Sequence, residues 1–361
     1  MRVVVIGGLG NFGARICRRL AQEPGLDIIA TSRRVKTGAL GSTVAALDIE
    51  NPNFAAHLQT LAPDLVIHCA GPFQDQDYRV ALASLACPAH YLDLADGRDF
   101  VSGFVAAVGP AAQAAQRFAI TGASTLPALS SAIIDSLRGS FAALRTIEIT
   151  IAPGQRAPRG AATVAAVMGY AGRAFQWWQD GAWRTVYGWQ ELKRERFSFG
   201  SRLAAACDVP DLVLLPDRYR GVQSVTFRAA LEVSVQHLAL WTIAAGRRAG
   251  LPIPLARWAG LFDRMAMWLN WLGTDIGGMT VRVAGTDGDD QHHCRVWELV
   301  ARGNHGPEIP CMAAVILANK LHGGGGFVPG ASVCMGLLAL SEFEQEFARW
   351  DITTQLEESP F

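Results

Sequence analysis

The first thirteen residues constrain this chain more than any other stretch. Val3-Val4-Val5-Ile6 is a short apolar run of strand-forming residues, and it ends in Gly7-Gly8-Leu9-Gly10-Asn11-Phe12-Gly13, followed by a helical pattern over 12–22. A strand that feeds a glycine-rich turn and a helix N-terminus is the context a pyrophosphate loop requires. Glycines let the backbone come close to a polyanion, whose charge is then met by N–H groups and the positive end of the helix dipole. The plainer alternative is a tight turn that merely tolerates glycine. The placement on the first strand of a βαβ unit favours dinucleotide binding.

Two spacings coexist in the loop. Gly8, Gly10 and Gly13 fit GxGxxG, and Gly7, Gly10 and Gly13 fit the GxxGxxG of short-chain dehydrogenases. The second spacing normally accompanies a catalytic Tyr-x-x-x-Lys. Here the residues four after Tyr78, Tyr91, Tyr170, Tyr187 and Tyr219 are Leu82, Ala95, Ala174, Glu191 and Gln223, so that motif does not occur.

The identity of the dinucleotide is read at the end of the second strand. An acidic residue there holds the ribose 2′-OH of NAD, whereas arginine accommodates the 2′-phosphate of NADP. The run Ile28-Ile29-Ala30-Thr31-Ser32-Arg33-Arg34 carries no carboxylate at its tip. Ser32 supplies a hydroxyl, and Arg33 and Arg34 can pair with a dianionic phosphate. NADP(H) is therefore the expected cofactor, against a reading of two ordinary surface arginines.

The same strand–helix alternation continues through residue 135. Apolar strand signals fall at 3–6, 27–31, 43–47, 65–69, 90–94 and 118–122, with helical patterns such as 54–61 and 78–86 between them. Such a rhythm predicts a parallel sheet covered on both faces, an α/β doubly wound domain over 1–135. Beyond it the character changes. All ten tryptophans lie between Trp177 and Trp350, and hairpin signals appear at 175–187 around Asp180-Gly181 and at 279–300 around residues 287–290. Amphipathic stretches at 234–248 and 255–272 lie between these hairpins. The expectation is an inserted α+β domain on an antiparallel sheet over 136–305, serving substrate binding or dimerisation. Residues 306–361 are expected to return to the first domain.

Composition excludes several classes. Half of the 361 residues are hydrophobic and 18% are charged, enough to bury two cores, and 32 basic residues balance 32 acidic ones without any block of like charge. That is not the footprint of a nucleic-acid binder. Seven scattered cysteines lack a CxxC pair, which argues against a zinc site or disulfide framework and suits a reducing cytoplasm. With a strand signal opening the sequence, no signal peptide is expected. The longest uncharged stretch, 323–341, begins with four glycines and contains Pro329, so a spanning helix is not expected.

Three motifs in order, Gly7–Gly13, His68-Cys69-Ala70-Gly71-Pro72-Phe73 and His90-Tyr91-Leu92-Asp93-Leu94-Ala95-Asp96, resemble the cofactor domain of saccharopine dehydrogenase-like proteins, and Gly306-Pro307-Glu308-Ile309-Pro310 is similar to a bacterial group of that family. The resemblance implies a Rossmann domain, an NADP cofactor and an inserted substrate domain. It places Ala70, Gly71 and Pro72 beside the nicotinamide ribose, Asp48 near the adenine, and Tyr91 and Asp93 at the crevice. The family includes saccharopine reductases, which reduce an imine, and trans-acting enoyl reductases of lipid and polyketide assembly. One departure is that Asp96-Gly97 stands where the family often has a glutamate. The arginine pair that clamps carboxylates in saccharopine reductases is not evident either.

Asp93, Asp96 and Tyr91 are accordingly the candidates for acid–base work, with Asp93 as a structural cap the competing reading. Gly7, Gly8, Gly10, Asn11, Phe12, Gly13, Ser32, Arg33, Arg34, Asp48, Ala70, Gly71, Pro72 and Ser124 are the candidates for holding the cofactor; Ser124, after the sixth strand, could bond the carboxamide or simply cap a helix. His68 and Cys69 read as core residues of an apolar strand. His292-His293 alternates across a strand and cannot chelate one metal. Arg156 and Arg159, in a Gly/Pro-rich loop, could meet an anionic group or be solvated. Around Trp258–Trp271 the apolar surface is expected to pack in the core, with a substrate tunnel, a dimer interface or peripheral membrane contact as the sharper alternatives. The sequence thus predicts a cytoplasmic, homodimeric NADP-dependent oxidoreductase. It would transfer hydride to a C=N or activated C=C bond of a small, hydrophobic molecule. A trans-acting enoyl reductase and a non-catalytic NADP-binding sensor or scaffold are the alternatives.

Overall fold

The computed structural model describes residues 1–34, 43–158, 160–253, 255, 260, 264 and 267–360. Two compact units divide them. One comprises Met1–Leu129 with Pro307–Leu338, the other Ser130–Gly306 with Ala339–Phe361.

Val3, Val4 and Val5 are wholly buried at the centre of the first unit, on β1 (Arg2–Ile6). This strand pairs in parallel with β2 (Asp27–Ser32) and β4 (Leu65–His68). Beyond β2 lies β3 (Thr43–Ala46), and beyond β4 lie β5 (His90–Asp93) and β6 (Phe118–Thr121). The strand order 3-2-1-4-5-6 is that of a doubly wound dinucleotide fold. Every residue of β4 is buried, which is why its sequence is continuously apolar up to His68. The helices α1 (Gly13–Leu20), α2 (Phe54–Thr60), α3 (Arg79–Ala86) and α4 (Arg98–Ala114) connect these strands.

A seventh parallel strand, β15 (Gly330–Val333), pairs with β6 from far along the chain. Ahead of it a helix over Ile309–His322 packs against α1 and buries residues on every side, including Ile309 and the run from Cys311 to Ala318. An all-round apolar helix has to sit inside a core, and here that need brings the chain back to the first unit.

The return is shorter than the sequence suggested. Pro307–Leu338 lies in the first unit, but Ala339–Phe361 belongs to the second. There β16 (Ile352–Pro360) pairs along its whole length with β14 (His292–Ala301), because the exposed polar run Thr353-Thr354-Gln355 suits a sheet edge better than a buried parallel strand.

The second unit is built on a nine-stranded sheet. Its main path runs β10 (Lys193–Phe197), β11 (Gly200–Ala206), β12 (Ser224–Ala230), β7 (Ala143–Ala152), β13 (Gly277–Thr286), β14 and β16. The remaining strands, β8 (Ala174–Gln179) and β9 (Ala182–Tyr187), form a hairpin attached to β12. Asp180 and Gly181 both take positive φ in its turn, the backbone that Asp-Gly adopts with least strain. The expected antiparallel sheet is in fact mixed, since β7 and β12 run parallel. In sequence they are separated by α6 (Ala161–Tyr170), two hairpins and α7 (Asp211–Arg218), a connection long enough to reverse direction twice. The helical stretch 234–248 is observed as α8 (Ser234–Arg248). Half of 255–272, including Trp258, and Arg159 lie outside the described residues.

Candidate nucleotide site

The parallel sheet brings the ends of β1 to β6 to one edge, and most of the candidate residues lie there. The glycine loop is closed by its own backbone. Gly8 N–H donates to the Thr31 carbonyl at 2.9 Å and lies close to that of Val5 at 3.1 Å, and Gly10 N–H donates to Gly7 O at 2.8 Å. A methyl group at Gly13 would sit 2.3 Å from Gly7 O, and one at Gly8 would sit 2.8 Å from Ala30. Only glycine fits either position, so the chain can turn directly from β1 into α1. Gly7 takes φ +75°, and a Cβ there would crowd Ala70 at 3.1 Å. The loops after β1 and β4 therefore touch, as a crevice spanning both would require.

The other loops interlock with these two. Leu47 N–H donates to Ser32 O at 3.0 Å, which sets Asp48 beside the tip of β2. Ser32 Oγ is held in a local turn with Arg34, donating to its carbonyl at 3.0 Å, while Arg33 and Arg34 are exposed at the surface. Asp48 Oδ1 accepts the Glu50 N–H at 3.1 Å.

Gln76, which the sequence reading passed over, organises the loop after β4. Its Nε2 donates to Ala70 O at 2.7 Å and Pro72 O at 2.8 Å, and its Oε1 meets His68 Nε2 at 3.0 Å. One amide thus fixes Ala70-Gly71-Pro72 against the end of β4. His68 is fully buried, and burial lowers its imidazole to about 4, with the Gln76 contact opposing, so it is neutral in the fold.

The β5 candidates divide sharply. Asp93 and Tyr91 are both wholly buried. Asp93 Oδ1 accepts three hydrogen bonds, from Ala95 N–H at 2.9 Å, Thr121 Oγ1 at 2.9 Å and Gly122 N–H at 2.8 Å. It stitches the ends of β5 and β6 together. Burial raises its carboxyl to about 6, and the three donors hold it below where burial alone would put it. Tyr91 lies two residues earlier on the same strand face, and burial, then the Asp93 charge, push its phenol well up. Asp96 is exposed, within 3.4 Å of Gln74 Nε2, and the protein crowded around it raises its carboxyl. Of the three, Asp96 alone can reach solvent or a ligand from the described conformation. Ser124 is buried just past β6, where Ser124 N–H donates to Gly122 O at 2.8 Å.

Support for the loop also comes from the returning segment. Glu308 pairs with Arg15 of α1, both side chains little exposed, and Cys311 Sγ lies 3.5 Å from the carbonyl of Phe12. Two contacts between residues nearly three hundred positions apart in sequence leave no local signal. All seven cysteines are free thiols, and among the described residues no cluster of His, Cys, Asp and Glu could hold a metal. No described helix is long and apolar enough to cross a membrane.

Residues 3–84, from β1 to α3, match the model of the NAD dependent epimerase/dehydratase family. No curated protein matches the chain in sequence. In fold, the chain is similar to saccharopine dehydrogenase (L-Glu forming) from Saccharomyces cerevisiae, at 12% identity and TM-score 0.68 over 99% of each chain. It is also similar to the homospermidine synthase of Legionella pneumophila solved with NAD, at 10% identity and TM-score 0.66 over 100% of this chain and 92% of that one. At these identities the likeness is one of fold, and it extends over both units.

Proposed function

We propose that this chain is a saccharopine dehydrogenase-like oxidoreductase that uses NADP(H). The observation that carries the reading is the glycine loop, whose side-chain-free positions 8 and 13 have no room for even a methyl group and whose helix N-terminus faces the carboxyl edge of a doubly wound sheet. Its backbone and the interlocked loop at Ala70–Pro72 suit a dinucleotide. The choice of NADP rests on the tip of β2, where Arg33 and Arg34 are exposed, Ser32 lies beside them, and no acid occupies the position that would hold a free ribose 2′-OH.

A bound nicotinamide supplies hydride chemistry. The chain's own residues then have to orient the acceptor and deliver a proton. Asp93 and Tyr91 serve as a buried brace for the β5 and β6 ends, and Asp96 is the acid that remains at the surface of that edge. The reaction class is reduction of a C=N or activated C=C bond in a small molecule. Exposed Met267, Trp268, Trp271 and Leu272 in the second unit favour a hydrophobic acceptor, and an enoyl reductase is the form of the reading they support. Seven free thiols suit a reducing cytoplasm.

Consumption of NADPH is the test. An enoyl thioester and an imine formed from an oxo acid with an amino acid are offered in turn, with Asp96→Asn in parallel. Turnover with one class, and a loss of about 100-fold or more in kcat for D96N, the lower end of general acid–base contributions, is the expected result. Tight NADPH binding with no turnover of either class would leave a sensor or scaffold instead.

A further inference from the structure

The second unit contains a cavity of about 240 Å³ where α5 (Ser130–Arg138) and α7 end and β7 begins. Its lining includes Arg138, Arg145 and Arg220, together with Phe141, Tyr219 and Gly221. All three arginines are exposed, and among the described residues none of them makes a hydrogen bond or an ion pair through its guanidinium.

Arginines with a structural task near this rim are recognisable by their partners. Arg218 Nη2 donates to Asp135 Oδ2 at 2.6 Å, and Arg295 Nη2 to Glu358 Oε1 at 2.6 Å. Asp135 is engaged by Arg218 and by the Tyr219 hydroxyl at 2.7 Å, and none of the other three arginines pairs with it. The lining itself contains no carboxylate. Three cations around one concavity repel one another, and the carbonyl ends of α5 and α7 account for an arginine on each helix end but not for Arg145 on a strand. The floor is open as well. Gly221 takes φ +94°, a turn that glycine makes freely, and a Cβ added there would touch nothing within 4 Å.

We infer that this pocket binds a small oxyanion of the pyrophosphate type, carrying two or more negative charges. At about 240 Å³ the pocket falls below the roughly 300 Å³ at which sites for drug-sized ligands begin, which suits two phosphoryl groups and not a dinucleotide. Planar guanidinium forks pair with phosphoryl oxygens two at a time, and a ligand of two phosphoryl groups offers three arginines more charge and more acceptor oxygens than halide or acetate does. The pocket lies wholly within the second unit, so the inference stands apart from the nucleotide loop and does not depend on the function proposed above.

The test is calorimetric titration of inorganic pyrophosphate into the full chain at fixed ionic strength, comparing the wild type with R145Q/R220Q and with R220Q alone. Pyrophosphate also suits the glycine loop, so the signal assigned to the pocket is the saturable component that the double variant loses. The expected result is at least a tenfold weakening of that component in R145Q/R220Q and a smaller one in R220Q, with the thermal midpoint of the ligand-free protein unchanged. Citrate should bind at least tenfold more weakly than pyrophosphate. Identical isotherms in wild type and double variant, or heat that sodium chloride of equal ionic strength reproduces, would overturn the site; equal affinity for citrate would overturn its phosphoryl character.

Discussion

The two units bury polar side chains in different places. In the first, four buried polar groups, His68, Asp93, Thr121 and Ser124, gather at the carboxyl ends of β4, β5 and β6. In the second, a row of polar groups runs along one face of the sheet. Glu148 lies opposite Arg282 and Thr226, and Glu298 lies opposite Thr280 and Gln355. These groups satisfy one another: Lys193 Nζ reaches Glu148 at 2.8 Å, Gln355 Nε2 donates to Glu298, and Glu232 just past β12 gathers Gln155 N–H, Thr274 N–H, Thr274 Oγ1 and Arg202 Nη2 within 2.9 Å. The contrast separates an edge that holds loops in position for a ligand from a face whose polarity is consumed in holding the sheet together.

The comparison breaks if the second unit's polar groups prove dispensable for stability. Glu232→Ala should remove about 4 kcal/mol, because it strands a little-exposed Arg202 and leaves two backbone donors without their acceptor. Urea unfolding measures this, and a loss near zero would mean that the face is plastic and available for binding.

Asp93 sharpens the other side. Its carboxyl is held at about 6 in the fold against an ordinary 3.8, so the native protein binds more protons than the unfolded chain between those values. Its contribution to stability is therefore present below about pH 4 and lost as pH rises through 6. Asp93→Asn cannot ionise, and the stability of the variant relative to wild type should rise by up to about 3 kcal/mol from pH 4 to pH 7. His68, held at about 4, acts in the opposite direction in both proteins and cancels from the difference. A flat difference would show that Asp93 is ionised throughout and make it a stronger candidate for chemistry.

Gly13→Ala probes the edge itself. The added methyl meets Gly7 O at 2.3 Å, so the loop must open. Dinucleotide affinity is expected to fall about 100-fold, equivalent to about 2.8 kcal/mol, by fluorescence titration. Unchanged affinity would place the ligand elsewhere.

The first unit was legible because local and long-range signals coincide there. Six apolar strands at short intervals predict a parallel sheet, and the glycine spacing marks where β1 turns into α1. The second unit was legible in its hairpins, where Asp180-Gly181 and the turn after β13 dictate the pairing locally, and in α8. Its parallel β7–β12 pair has no such signature, because nothing in either strand records which partner lies beside it. β15 was missed since four residues, Gly-Ala-Ser-Val, carry little strand propensity and gain their place from pairing with β6. The candidate site shows the same division. Glycines 7, 8, 10 and 13 declare themselves by spacing, whereas Gln76 and the Arg15–Glu308 pair act through contacts that no neighbouring residue announces.

The carboxyl edge of the first unit is proposed to hold NADP(H), with the 2′-phosphate at the tip of β2. Titration of NADPH and NADH against the wild type and an R33A/R34A double variant tests it most directly. The prediction is that NADPH binds at least about tenfold more tightly than NADH, about 1.4 kcal/mol, and that the double variant loses this preference while binding NADH as before. Equal binding of the two nucleotides by the wild type, or a preference that survives in the double variant, would contradict it.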